Sequence, residues 1–290
     1  MHSLTLETKK SSVLFVSLLL FCLKIECKEG DQPPCDKGNF ILPCSQQPGP
    51  LISFGNNIIE CNVVQLYVFG DSLKKQNSNY IDLIPSVLYG ITDEFSIFFN
   101  VPIAVSYREK EHHSSGFEDL FLQFEYAVYA KTTNCTSDQI TVVANASFPT
   151  GSKHKTPITG LGSMSYFAGA TYNHMSPKWL YFSSYGVILP MSQRKTKTTN
   201  QYLYQFGIGR NGNLVKGWLF AYLVEFDGIF SPSNSNPNSG GNTIYCTPSF
   251  WASSNAWILQ IGAGYPIQQH LFGNQKKDQW SFSFNVGRSF

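Results

Sequence analysis

From about residue 58 onward, apolar and polar residues alternate in steps of two. Leu120, Leu122, Phe124, Tyr126 and Val128 alternate with Asp119, Phe121, Gln123, Glu125 and Ala127. Trp218, Phe220, Tyr222, Val224 and Phe226 repeat the pattern, with Glu225 and Asp227 on the other phase. Near the C-terminus Trp280, Phe282, Phe284 and Val286 alternate with Ser281, Ser283, Asn285 and Gly287. A step of two puts each set on one face of a β-strand, and helical spacing is not met. The pattern predicts about twelve strands, over 58–69, 80–89, 94–107, 117–131, 138–148, 162–173, 178–189, 200–210, 217–229, 243–250, 254–265 and 279–290. Most of these have 10 to 14 residues. Strands of soluble domains peak near ~5–6 residues, and a membrane-crossing strand needs ~9–11.

The links between strands give a second signal. Long polar links are expected at 70–79, 108–116, 149–161, 190–199, 230–242 and 266–278. Short ones are expected at 90–93, 174–177, 211–216 and 251–253, with 132–137 intermediate. Long and short links taking turns is the habit of an outer-membrane barrel, with short periplasmic turns and longer outer loops. The expected fold class is therefore all-β, a transmembrane antiparallel β-barrel of outer-membrane type with about twelve strands, spanning 58–290. Closure follows from the solvent, because hydrocarbon offers no partner to a free sheet edge. An even strand number puts both ends of the barrel in the periplasm.

Composition narrows the alternatives. Only 14% of residues are charged while 15% are aromatic, and the formal net charge is +2. Lys and Arg form no basic stripe, so nucleic acid is not an expected partner. No apolar run reaches the length of a transmembrane helix. Trp179, Trp218, Trp280, Tyr89, Tyr107, Tyr172 and Tyr202 fall near strand ends, as interfacial girdles would. Their rival reading is the core of a soluble β-sandwich. The terminal aromatic Phe290 closes an alternating strand and resembles the signal read by the barrel assembly machinery.

Lys9 and Lys10 precede the apolar run 13–23, which reads as a signal peptide over 1–27. The expected location is the outer membrane of a Gram-negative-type cell, with its lipid as a partner. No small-residue cleavage pattern follows the run, and lipidation at Cys22 or Cys27 is an alternative. Residues 28–57 are rich in Pro, Gly, Asn and Gln and are expected to be irregular, either a plug in the barrel or a periplasmic tail. Of seven cysteines, Cys35 and Cys44 flank a Pro- and Gly-containing loop and are candidates for a disulfide. No C-x-x-C occurs, and the pair His112-His113 lacks further ligands, so neither a metal nor a cofactor is expected.

The inward phase carries the candidate chemistry. Asp119, Gln123 and Glu125 share one strand, and Glu225 and Asp227 share another. These five are the candidates to line a passage; the plainer reading is that the acids only solvate the inner wall. Asn100, Asn145, Gln205, Gln260 and Asn285 are further inward polar positions among many Gly, Ala and Ser, which leave room for a lumen. Phe98, Phe121, Phe167 and Phe182 also face inward, suited either to a hydrophobic or aromatic solute or simply to filling space. The function expected is passive uptake of small, hydrophobic or aromatic solutes. One alternative is a structural or adhesive surface barrel using basic loops such as Lys153-His154-Lys155. Another is an outer-membrane lipid hydrolase, for which His174 with Asn173 and Ser176 is the nearest constellation, though G-x-S-x-G is absent.

Several short stretches are similar to one family. Leu88-Tyr89-Gly90-Ile91-Thr92-Asp93-Glu94 looks like a turn "YGLTDRLE". Ser115-Gly116-Phe117-Glu118-Asp119-Leu120 resembles "GLGDL" with Phe117 and Glu118 departing from it. Phe148-Pro149-Thr150-Gly151-Ser152 matches "PTGS", and Gln260-Ile261-Gly262-Ala263-Gly264-Tyr265-Pro266 resembles a Gly-containing strand before a final hairpin. In this order, over roughly 80–290, they resemble the phenol meta-pathway outer-membrane family. The resemblance implies a transporter-like outer-membrane barrel often associated with aromatic catabolism.

Overall fold

The computed structural model describes residues 37–133, 135–191, 199–233 and 238–290. The expected signal peptide 1–27 and Cys35 lie outside these residues.

Strands β1 (Val64–Lys75), β2 (Ser78–Thr92), β3 (Phe95–Asn100), β4 (Ile103–Glu109), β5 (His112–Phe117) and β6 (Leu120–Thr133) lead the chain. They are followed by β7 (Thr136–Phe148), β8 (Ser165–Met175), β9 (Trp179–Pro190) and β10 (Gln201–Val215). The last four are β11 (Trp218–Ser231), β12 (Gly241–Ser253), β13 (Trp257–Leu271) and β14 (Asp278–Ser289). All neighbours pair antiparallel, and β1 pairs with both β14 and β2, so the sheet closes on itself. β3 and β4 both pair with β2, and β6 and β5 continue outward from them, so each couple is one stave broken in the middle. The closed barrel thus has twelve staves, the number the alternation predicts. Pro102 sits at one break, where it has no N–H to give to a ladder. Two bonds bridge the gap: Val101 N–H donates to Pro85 O at 3.0 Å and Glu118 N–H to Pro102 O at 3.0 Å.

The faces follow the period. On β11, Leu219, Ala221, Leu223, Glu225 and Asp227 are buried inside, while Tyr222 points out and is 61% exposed. Leu66, Val68, Val87, Val128 and Val142 extend the outward apolar belt that a lipid solvent requires. Among the described residues no helix is long and apolar enough to cross a membrane. One rim, here the near rim, carries the start of β1 and the end of β14. There Arg210 lies over Trp179 at 5.1 Å and Arg288 over Trp257 at 5.2 Å, a cation–π pattern beside interfacial aromatics. Phe290 closes the ladder by donating its N–H to Val64 O at 2.9 Å, and the Arg288 guanidinium lies 4.9 Å from its ring.

Three expectations are corrected. The first strand begins at Val64, and residues 58–63 belong to the segment that precedes it. The links 70–79 and 108–116 are not loops: β1 and β2 pair until Lys75 meets Ser78, and β4 and β5 until Glu109 meets His112. Polar residues there mark strands leaving the apolar layer, not leaving the sheet. Tyr107 does not join a girdle; a bulge between Ala104 and Tyr107 shifts the register, and its ring packs on that of its cross-strand partner Tyr80, 5.0 Å away.

Candidate functional site

The lumen is occupied by the chain's own N-terminal segment. It begins at the near rim, where Asn39 donates its N–H to Pro177 O at 2.9 Å and its Nδ2 to Ser176 O at 2.9 Å. It then crosses the barrel: Gln65 Nε2 donates to Ser45 O at 2.6 Å, and Ser253 Oγ to Gln46 O at 2.7 Å. Rising, it offers Gly49 O to Gln260 Nε2 at 3.0 Å. At mid-barrel the backbone N–H groups of Leu51, Ile52 and Ser53 all donate to the Glu225 carboxylate, at 2.6, 3.1 and 3.2 Å. Ser53 Oγ also donates to Asp227 at 3.3 Å.

The segment then turns back. Thr171 Oγ1 donates to Phe54 O at 2.8 Å, and the Phe54 ring meets Phe167 edge-on at 4.7 Å. Gly169 and Gly186 give those rings their room, since a Cβ at either would lie within 2.6 Å of ring carbons. Asn57 donates through its N–H and its Nδ2 to Glu125, at 2.8 and 2.6 Å. Cys61 N–H reaches Asp93 at 2.9 Å back at the near rim, where β1 starts. Gly90 lets the backbone pass, because a Cβ there would come 2.1 Å from Glu60 O.

The expected lining residues therefore have specific duties. Glu125 and Glu225 are fully buried: Glu225 accepts three backbone N–H groups, and Glu125 accepts the backbone N–H and side-chain amide of Asn57. Gln123 braces Glu125 with a bond of 2.7 Å, and Gln205 and Thr247 donate to Asp227 at 3.1 and 3.2 Å. Asp119 holds the far-rim loop 149–164, taking the N–H of Gly151 at 2.9 Å and of Leu161 at 2.8 Å. Ser114 Oγ fixes the same loop through Pro157 O at 2.6 Å. The Cys35–Cys44 bridge is not formed: Cys44 is a free thiol, with Sγ 3.6 Å from Ile58 O. Cys61 and Cys135 are the disulfide-bonded cysteines among the described residues. No signal in the spacing distinguished them from Cys44.

Space remains around the segment. An inner cavity of about 290 Å³ lies between residues 44–59 and the wall formed by β1, β2, β3, β6 and β12–β14. Phe98, Phe121 and Gln123 line it, as their phase suggested. Tyr67, Phe69, Asp71 and Trp251 line it too, and the sequence reading missed them. Residues 66–69 are apolar on both phases, and the expected strands ended before Asp71 and Trp251. A second space of about 390 Å³ lies under the loop held by Asp119, bounded by Tyr107, Glu118 and Phe121. A third, about 470 Å³, opens at the far rim among Gln201, Thr243, Tyr245 and Asp278. His174 is paired with Asp138 at 2.8 Å, and among the described residues no serine hydroxyl hydrogen-bonds to it.

No family model matches the chain, and no curated protein matches it. Among solved structures, an outer membrane channel from Pseudomonas putida F1 is similar over 84% of this chain and 99% of that one, with a TM-score of 0.59 and 13% identity. The NanC porin matches over 78% of this chain and 98% of its own, with a TM-score of 0.46 and 10% identity. The CymD monoaromatic hydrocarbon channel covers 79% of this chain and 88% of its own, at 0.37 and 11%. With the closed ladder and the outward apolar belt, the first of these likenesses establishes the chain as having the fold of an outer-membrane β-barrel.

Proposed function

We propose that the chain is a channel of the outer membrane of a Gram-negative-type cell, passing small apolar or aromatic solutes without a cofactor. Its near rim faces the periplasm and its far rim the outside. The observation that carries this reading is a closed lumen that keeps an inner cavity of about 290 Å³ beside the inserted segment, with a wider space at the far rim. Residues 38–61 form the constriction, and the ring-lined wall favours solutes that carry an apolar or aromatic body. The likeness to the phenol meta-pathway family supports the same solute class. Outer-membrane lipid surrounds the belt, and Phe290 is the contact for the assembly machinery.

The test is reconstitution into planar bilayers and liposomes, with conductance and phenol influx measured for the whole protein and for a form lacking residues 38–60. The expected result is measurable influx in the whole protein and a larger conductance in the shortened one. If neither form conducts or passes phenol, the channel reading is wrong.

A further inference from the structure

The inner cavity has two kinds of wall. Tyr67, Phe69 and Phe98 form a three-ring floor, with centroids 5.3 Å apart for the stacked Tyr67–Phe69 pair. Phe98 meets both rings edge-on at 5.9 Å. Asp71 stands two residues further along the same face of β1, ~7 Å up the strand, and also lines the cavity.

Asp71 is directly opposite Asp82 in the β1–β2 ladder. Ser283 donates to Asp71, and Asp82 is hydrogen-bonded with Tyr107 and Glu118. Oδ1 of Asp82 and Oε1 of Glu118 are buried with no partner. Among the described residues, neither Lys nor Arg forms an ion pair with any of the three; Lys75 is paired with Asp278 at the far rim. Asp82 and Glu118 can hydrogen-bond only by sharing a proton, so the unbalanced charge falls on the Asp71 carboxylate, which faces a second acid across the ladder; an anion held away from water is costly until a cation balances it. Ring faces attract cations as well. Carboxylate above and aromatic floor below thus ask for one ligand class.

We propose that the inner cavity is a binding site for a small arylalkyl ammonium ion, its ammonium group at Asp71 and its apolar body on Tyr67, Phe69 and Phe98. The cavity is at the lower end of the ~300–1,000 Å³ range of small-molecule pockets, which limits the ligand to about one ring and a short tether. The inference rests on the channel reading and names a solute of that channel.

The test is calorimetric titration of the full-length protein in detergent, near neutral pH, with 2-phenylethylammonium, 2-phenylethanol and phenylacetate. These share a ring and a tether and differ in charge. The ammonium ion is expected to bind about ten-fold tighter than the alcohol, and phenylacetate weakest. Asp71→Asn should bring the ammonium ion down to the alcohol's affinity and leave the alcohol unchanged. Equal binding by all three, tighter binding of phenylacetate, or no binding overturns the site. The ranking in the unaltered protein decides this even where the variant does not fold. Binding without conductance would remove the channel reading and leave the site standing; conductance without the ranking would do the reverse.

Discussion

At the scale of the residue, the inward carboxylates hold backbone. Glu225 takes three consecutive backbone N–H groups, an arrangement few neutral side chains could match. Glu225→Gln keeps the shape and turns an NH2 group toward donors. A buried donor left without its acceptor costs ~1–3 kcal/mol, so the segment's docking should weaken by about 2 kcal/mol. Limited proteolysis of the folded protein reads this: cleavage within residues 49–57 should speed up while the heat-resistant barrel band persists. Unchanged cleavage would show that the carboxylate does not hold the segment. Gly90→Ala tests the opposite wall, because its Cβ would meet backbone oxygens of Ile59 and Glu60 that cannot swing away. Faster cleavage near residues 58–61 is expected, again with the barrel intact. That Glu125 and Glu225 point inward was legible from period two. Their partners were not, since Glu225 bonds a segment more than 170 positions away and alternation carries no information at that range.

At the scale of the element, strand length exceeds what a bilayer requires. β2, β10 and β13 each have 15 residues, against ~9–11 for a crossing. In β2 and β13 the surplus lies at the far rim, where Ser72, Lys74, Asn79 and Ser106 look like loop residues by composition yet stay in the ladder; in β10 it lies at the near rim, where the strand runs on past Arg210 to pair Val215 with Trp218. Hydrogen exchange separates the two readings. Amides at 72–75 and 79–81 should be protected to nearly the level of mid-strand positions, and exchange at loop rates would contradict the continuous hairpin. Strand existence and phase were readable for β6, β11 and β14 because one face must meet lipid. Strand ends were not, because backbone pairing persists in water where the side-chain pattern fades. The inward turn of Tyr107 was hidden for a related reason: a bulge spends one residue without a sequence mark.

At the scale of the whole molecule, the barrel and its contents stabilise each other unequally. The wall closes through β1 and β14 without help from the segment, whereas the segment has little regular structure of its own beyond two short turns at Gly38–Phe40 and Cys44–Gln46. Deleting residues 38–60 should therefore leave a form that still migrates differently on gels when boiled and unboiled, with a lower thermal midpoint. A shortened chain that no longer shows the shift would mean that the wall needs its filling in order to close. Twelve staves were countable from the sequence. That the irregular N-terminal stretch lies inside was not, because nothing in its Pro-, Gly- and Asn-rich composition tells a lumen from water.

Residues 39 and 61 are held at the same rim, on hydrogen bonds to Pro177 and Asp93. Between them the chain rises to Glu225 and descends, as a bight of rope laid into a ring. A bight is not threaded: it can be pulled out, or pushed in, from one side with no free end passing through the hole. The barrel can therefore close first and take in its contents afterwards, and what stands between filled and cleared states is a series of hydrogen bonds, the packing of rings such as Phe54 on Phe167 and the disulfide at Cys61, with no knot to untie.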